Sequence, residues 1–365
     1  MKKFAHIDAL RGIAVLLVIL IHTGQMTPAG LLFTSLSEFG QYGVQLFFVL
    51  SAFTLCLSLD RCEKITPSGY QSFMIRRFFR IAPLYYLAIP FYFSLSYFSA
   101  KFLGTRPFLD SHSYSVLNVL ANLFFVHGLH PASNNSIVPG GWSIGCEFLF
   151  YAFFPFLFMW TRKRGVRLLL CGAAAFLCTL ILLSLSAALN PDGKFGAENN
   201  SFSYYFISNQ FPCFALGMAY FFCLENKRAK HALAIIALPC ALLLFEIHGW
   251  KWGWIVSPVA AGFISIGLMF MFERFTPASF LQEMGKLSVS LYLWHFVPVR
   301  AFGYLFNHKL PEPWKNDLSS CLLLLFTIIS SVGLAIISNK FIEKPFIQFG
   351  HNYAAKISSK VAQPT

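Results

Sequence analysis

Ten apolar stretches of roughly helix-spanning length fill most of this chain: 8–26, 40–59, 81–100, 142–161, 166–189, 204–223, 230–247, 253–272, 286–306 and 318–340. A hydrocarbon core ~30 Å thick takes ~20 apolar residues in a helix, because backbone N–H and C=O groups find no water there. The expected fold class is all-α: a polytopic integral membrane helical bundle of about ten transmembrane helices. A shorter run at 116–127 is too brief to span and reads as an interfacial or re-entrant helix.

Charge sets the direction. The net charge of +13 would raise nucleic acid as a partner for a soluble protein, but here the basic residues sit in short loops. Twenty-one of the 28 fall on one side, including Arg11, the cluster Arg76, Arg77 and Arg80, and the run Arg162 to Arg167; seven fall on the other. The positive-inside rule then puts both termini in the cytosol. With 56% hydrophobic and 12% charged residues, no polar stretch is long enough for a soluble domain. The first segment lacks a small-residue cleavage site and carries Asp8 and Arg11, so it reads as a retained helix. The nine cysteines are scattered without zinc-ligand spacing, and no metal is expected. The turn-rich outer loop 191–200 reads as a connector.

Against this apolar background a few polar residues carry the chemistry. Arg11 and His22, eleven positions apart on the first segment, share a helix face and stand ~16 Å apart along it. An ionisable group in hydrocarbon costs a few kcal/mol or more and is a functional suspect. Arg77 and Arg80 are i, i+3 neighbours that suit phosphate, although a positive-inside anchor is their plainer reading. Glu147 is the one acid of its segment, with Tyr151 one turn on. By depth alone, Glu147 and His295 reach the level of His22, as in membrane proton-transfer sites. Ser51 reads as a small packing residue, Trp142 as an interface marker, and Glu343-Lys344-Pro345 as a helix stop.

Six segments in order, HIDALRGIAVLLVILIH, FFVLSAF, RRFFRIAPLYY, WSIGCEFLFYAFFPF, SLYLWH and FIEKPF, spread over residues 6–346. Together they resemble the acyltransferase-3 family of integral membrane acyltransferases. The resemblance implies a transmembrane domain over 1–346 and a short cytosolic tail over 347–365. Some members carry an extracytoplasmic hydrolase-like domain after the last span; about twenty residues follow Pro345 here, so a stand-alone membrane module is expected. The family's arginine–ten residues–histidine pattern falls on Arg11 and His22, its Arg-x-x-Arg on Arg77 and Arg80, and its Trp-Ser…Glu on Trp142, Ser143 and Glu147. Two departures are Ser51-Ala52-Phe53 where the family has Ser-Gly-Phe, and Ile144-Gly145-Cys146 before Glu147.

What the resemblance implies is acyl transfer, often of acetyl from acetyl-CoA, to hydroxyls of surface carbohydrates or lipid-linked glycans, at a bacterial inner membrane. His22 is then the base or acyl relay, oriented by Glu147. Arg11, Arg77 and Arg80 hold the CoA phosphates, with Asp8, Ser51, Trp142, Tyr151 and His295 in support. The residues alone leave open a proton-coupled transporter, in which membrane His and Glu relay protons. Oligomeric state is not encoded in any of these patterns.

Overall fold

A computed structural model describes residues 5–27, 30–103, 114–131, 133–189, 202–247, 253–275 and 277–362. The loop 191–200 lies outside the described residues. In chain order the helices are α1 (Ala5–Met26), α2 (Leu31–Glu38), α3 (Gly43–Leu59), α4 (Pro67–Leu103), α5 (Val116–Leu123), α6 (Gly141–Thr161), α7 (Val166–Leu189), α8 (Phe202–Tyr205) and α9 (Ile207–Phe222). They continue with α10 (Lys227–Ile235), α11 (Ala237–Ile247), α12 (Gly253–Phe272), α13 (Ser279–Lys286), α14 (Ser288–Trp294), α15 (Phe296–Lys309), α16 (Asp317–Ser338) and α17 (Lys344–Ala362). No strand occurs among the described residues.

All ten expected segments are helical. By length and composition, six described helices are apolar enough to cross a membrane: Ala5–Met26, Leu31–Leu59, Pro67–Lys101, Gly141–Thr161, Gly253–Phe272 and Asp317–Ser358. This is the architecture of a multi-pass membrane protein. The short α5 exposes Val116, Leu117 and Leu120 while burying Asn118 and Asn122, an amphipathic arrangement suited to an interface.

The chain does not stop where Glu343-Lys344-Pro345 suggested. A π-helical turn at Asn339–Glu343 links α16 directly to α17, with the Lys344 N–H bonded to the Asn339 carbonyl, and the helix runs on through Pro345. The turn points Glu343 inward, where it accepts from Ser290 Oγ at 2.7 Å. The tail 347–362 is therefore an ordered helix lying along α4, with Ser72 Oγ donating to the Ala354 carbonyl and Phe79 packed on Phe349.

At the centre is α1, held by backbone approaches that only glycine permits. A Cβ at Gly285 would lie 1.7 Å from the Asp8 carbonyl oxygen, and one at Gly12 would lie 2.2 Å from that of Leu281. On the other side a Cβ at Gly43 would lie 2.5 Å from the Ala14 carbonyl. Small residues let membrane helices approach closely, where packing replaces the hydrophobic drive available in water. Two neighbours, α13 and α3, thus fix the height and rotation of the helix carrying Arg11 and His22.

Gly285→Ala should force α13 away from α1 and lower the thermal midpoint of the protein in detergent by several degrees. Gly333→Ala on α16, whose Cβ meets nothing within 4 Å, should leave it unchanged or slightly raised, since Ala is the better helix former by about 1 kcal/mol. Equal midpoints for the two variants would refute the close-approach argument.

Candidate active site

Three helices bring their charges to one cleft. Arg11 from α1, Arg77 and Arg80 from α4, and Glu147 from α6 line it with Ser51, Thr54, Tyr151, Ser143 and Tyr292. The cleft encloses about 710 Å³, its open mouth included. Phe47, Phe48, Val44 and Ile144 make the wall beyond the charged end apolar.

Glu147 accepts from two hydroxyls. Ser51 Oγ donates to Glu147 Oε1 at 2.6 Å, and the Tyr151 hydroxyl donates to the same oxygen. One turn along α3 from Ser51, Thr54 Oγ1 accepts from Arg11 Nη2 at 3.1 Å. Asp8 reaches Arg11 only at 4.0 Å, a partly exposed contact of little energetic weight.

The α4 arginines are differently placed. Arg77 lies over the rings of Phe73 and Tyr151, at 5.5 and 5.8 Å from their centroids, within cation–π range. Its Nε is buried without a hydrogen-bond partner. Among the described residues neither Arg77 nor Arg80 has an acceptor for its guanidinium donors. A guanidinium carries five N–H donors and no acceptor, so the cleft has donors and positive charge to spare.

His22 stands elsewhere. It lies three helical turns beyond Arg11, ~16 Å along α1, and does not line the arginine cleft. Its Nδ1 pairs with Gln25 Oε1 at 3.0 Å, and its ring stacks on His295 at 5.3 Å and tilts against Phe296 at 4.5 Å. Between the two regions sits Tyr292, whose hydroxyl donates to the Gly140 carbonyl at 3.0 Å and lies 2.6 Å from Ser143 Oγ.

Sequence depth thus misplaced Glu147. It neighbours Ser51 and Arg11's partner Thr54, and among the described residues no hydrogen bond joins it to His22. The reason is where α6 begins. Gly140, in the left-handed region at φ +74°, and Gly141 are already buried, the latter packed on the Tyr85 hydroxyl. Counting residues in from a span end gave no sign that α6 already begins within the protein. Trp142 is no interface marker either: it is buried, stacked on Tyr205 at 4.4 Å.

Of the anticipated residues, Arg11, Arg77, Arg80, Ser51, Glu147 and Tyr151 come together, and His22 meets His295. Thr54, Tyr292 and Gln25 were missed. Each lies one helical turn from a suspected residue (Ser51, His295 and His22), so i±3 spacing was the available signal.

A protein-family model for the acyltransferase domain matches residues 4–339. Curated relatives include the O-acetyltransferase OatA of Staphylococcus aureus strain MRSA252, 25% identical over 98% of this chain and 59% of its own length. The exopolysaccharide production protein ExoZ of Rhizobium meliloti strain 1021 is 26% identical over 70% of this chain and 75% of its own. A further protein of S. aureus strain COL is 24% identical over 96% of this chain. The chain spans 58% and 59% of the two staphylococcal relatives. No solved structure matches it.

Tyr292→Phe removes the hydroxyl that ties α14 to the start of α6. Each buried hydrogen bond is worth about 1 kcal/mol net and more when a partner is stranded. The variant should unfold at lower temperature than wild type, and adding Ser143→Ala should cost less than it does alone, because the two hydroxyls share one bond. Fully additive losses would show that they act independently.

Proposed function

The chain belongs to the acyltransferase family, and on that premise we propose that it moves an acyl group, acetyl in the simplest case, from cytosolic acyl-CoA to a hydroxyl of a cell-surface or lipid-linked carbohydrate. The observation that carries the reading is the arginine cleft. Arg77 and Arg80 present guanidinium donors with no acceptor among the described residues. Guanidinium forks bind phosphate bidentately and stay charged. A CoA nucleotide held there by Arg11, Arg77 and Arg80 would send its pantetheine arm along α1 toward His22.

Both termini are then cytosolic, with the arginine end of the cleft facing the donor and the histidine end facing the acceptor. A ten-span bundle in a bacterial cytoplasmic membrane fits this direction. That ExoZ is named for exopolysaccharide production and OatA for O-acetyl transfer supports a carbohydrate hydroxyl as the acceptor. Glu147, with Ser51 and Tyr151, serves as counter-charge that keeps the arginines from repelling one another when no donor is bound.

The chemistry needs a base for the acceptor proton. His22 Nε2 takes the proton from the hydroxyl as its oxygen attacks the thioester carbonyl. The C–S bond then breaks, and the proton passes from His22 to the leaving thiolate, giving free CoA and an O-acyl carbohydrate. Tyr292 stands between the cleft and His22, so the arm must pass it to deliver the thioester.

Mass spectrometry of surface glycans tests the reading. Cells carrying the wild-type protein should show an acyl mass increment that cells carrying His22→Ala lack, at equal membrane levels of the two proteins. An increment that persists in His22→Ala would remove His22 from the chemistry.

A further inference from the structure

We infer that His295 is a positioning residue for His22, its Nε2 lone pair receiving the Nε2–H that His22 gains when it takes the acceptor's proton. The inference rests on the reading of His22 as the base. It begins from an orphaned atom. His295 is wholly buried, between α14 and α15, and its Nε2 has no hydrogen-bond partner among the described residues.

The tautomer follows from the neighbours. His295 Nδ1 lies 2.8 Å from the Tyr292 carbonyl and 3.2 Å from that of Leu291. Carbonyl oxygens only accept, so Nδ1 carries the proton and Nε2 keeps its lone pair. His22 is arranged alike: Nδ1 donates to Gln25 Oε1 at 3.0 Å, which leaves its Nε2 as the base. Two lone pairs on adjacent rings have nothing to share. One added proton makes them donor and acceptor.

The spacing suits that bond. The ring centroids are 5.3 Å apart with planes 21° from parallel. Imidazoles joined by an N–H···N bond of ~3 Å stand about 5 Å apart, centroid to centroid, given a ring radius of about 1 Å. The bond forms by a turn of the His22 side chain that aims its Nε2–H at His295. Phe296 packs against both rings, 4.1 Å from that of His295 and 4.5 Å from that of His22. An imidazolium short of acceptors is costly in a low-dielectric site, and His295 lowers that cost once the proton has been transferred and the His22 ring has turned its Nε2–H from the acceptor oxygen toward His295. The proton is shared, not consumed, and returns through His22 to the CoA thiolate.

The competing role is a structural cap, in which only the Nδ1–H on the Tyr292 carbonyl matters. Two variants separate them. His295→Gln places an amide acceptor near the position of Nε2, whereas His295→Asn keeps a donor near that of Nδ1. Full-length protein in lipid nanodiscs, with acetyl-CoA as donor and methyl glucoside as probe acceptor, should lose at least tenfold in kcat with Asn and only a few-fold with Gln. The KM for acetyl-CoA should stay unchanged in both, because His295 lies outside the arginine cleft. The opposite order, or equal activity in both variants, overturns the inference. Loss in His22→Ala alongside unaltered His295 variants would leave the proposed function standing and sink only this step. Nitrogen-15 NMR of histidine-labelled protein checks the premise independently of turnover: His295 should show a protonated Nδ1 and a bare Nε2. A proton on Nε2 overturns the inference.

Discussion

Everything in this protein is hung on the close contact of α1 with its neighbours. The Asp8 carbonyl against Gly285 and the Leu281 carbonyl against Gly12 leave no room for a side chain, and Gly43 closes the other face. A single straight helix held this way acts as a ruler. Its lower part sets Arg11 beside Thr54 and its upper part sets His22 on His295, ~16 Å apart. If α1 could slide or roll, Arg11 would lose its register with Thr54 and His22 its register with His295.

The second organising fact is an imbalance of charge. Three arginines enter one cleft, while Glu147 is held by hydroxyls rather than by any of them. Such an arrangement is unfavourable in a closed protein and favourable in one that takes an anionic ligand from the aqueous side. The apolar wall of Phe47, Phe48 and Ile144 beyond the arginines suits the less polar part of the same ligand. Tyr292 then marks a boundary, bonded to α6 on one side and one turn from His295 on the other. The cleft and the histidine pair are thus separate places along α1.

Much of this was legible in the sequence. Apolar length found the helices, and the i, i+3 and i, i+11 spacings found the arginines and His22, because helical periodicity survives in any bundle. What was not legible was depth. Glu147 was counted from a span end, yet α6 starts inside the protein beneath a buried turn at Gly140. The same blindness hid Tyr292 and Thr54, whose roles arise from which helices touch. Pro345 misled for a local reason: a π turn just before it lets the helix continue, and no pattern of residue types announces such a turn.

The central claim is that the arginine cleft is the donor site, and acetyl-CoA binding to the full-length protein in nanodiscs tests it most directly. A hydrogen bond to a charged group is worth about 1.5–3 kcal/mol, so Arg77→Ala and Arg80→Ala together should weaken binding by at least about a hundredfold. The size of the loss should shrink as salt is raised, since the lost contacts are charged. Wild-type affinity in the double variant would contradict the account, because the guanidinium donors of these two arginines, without an acceptor among the described residues, are what assigns the donor to this cleft.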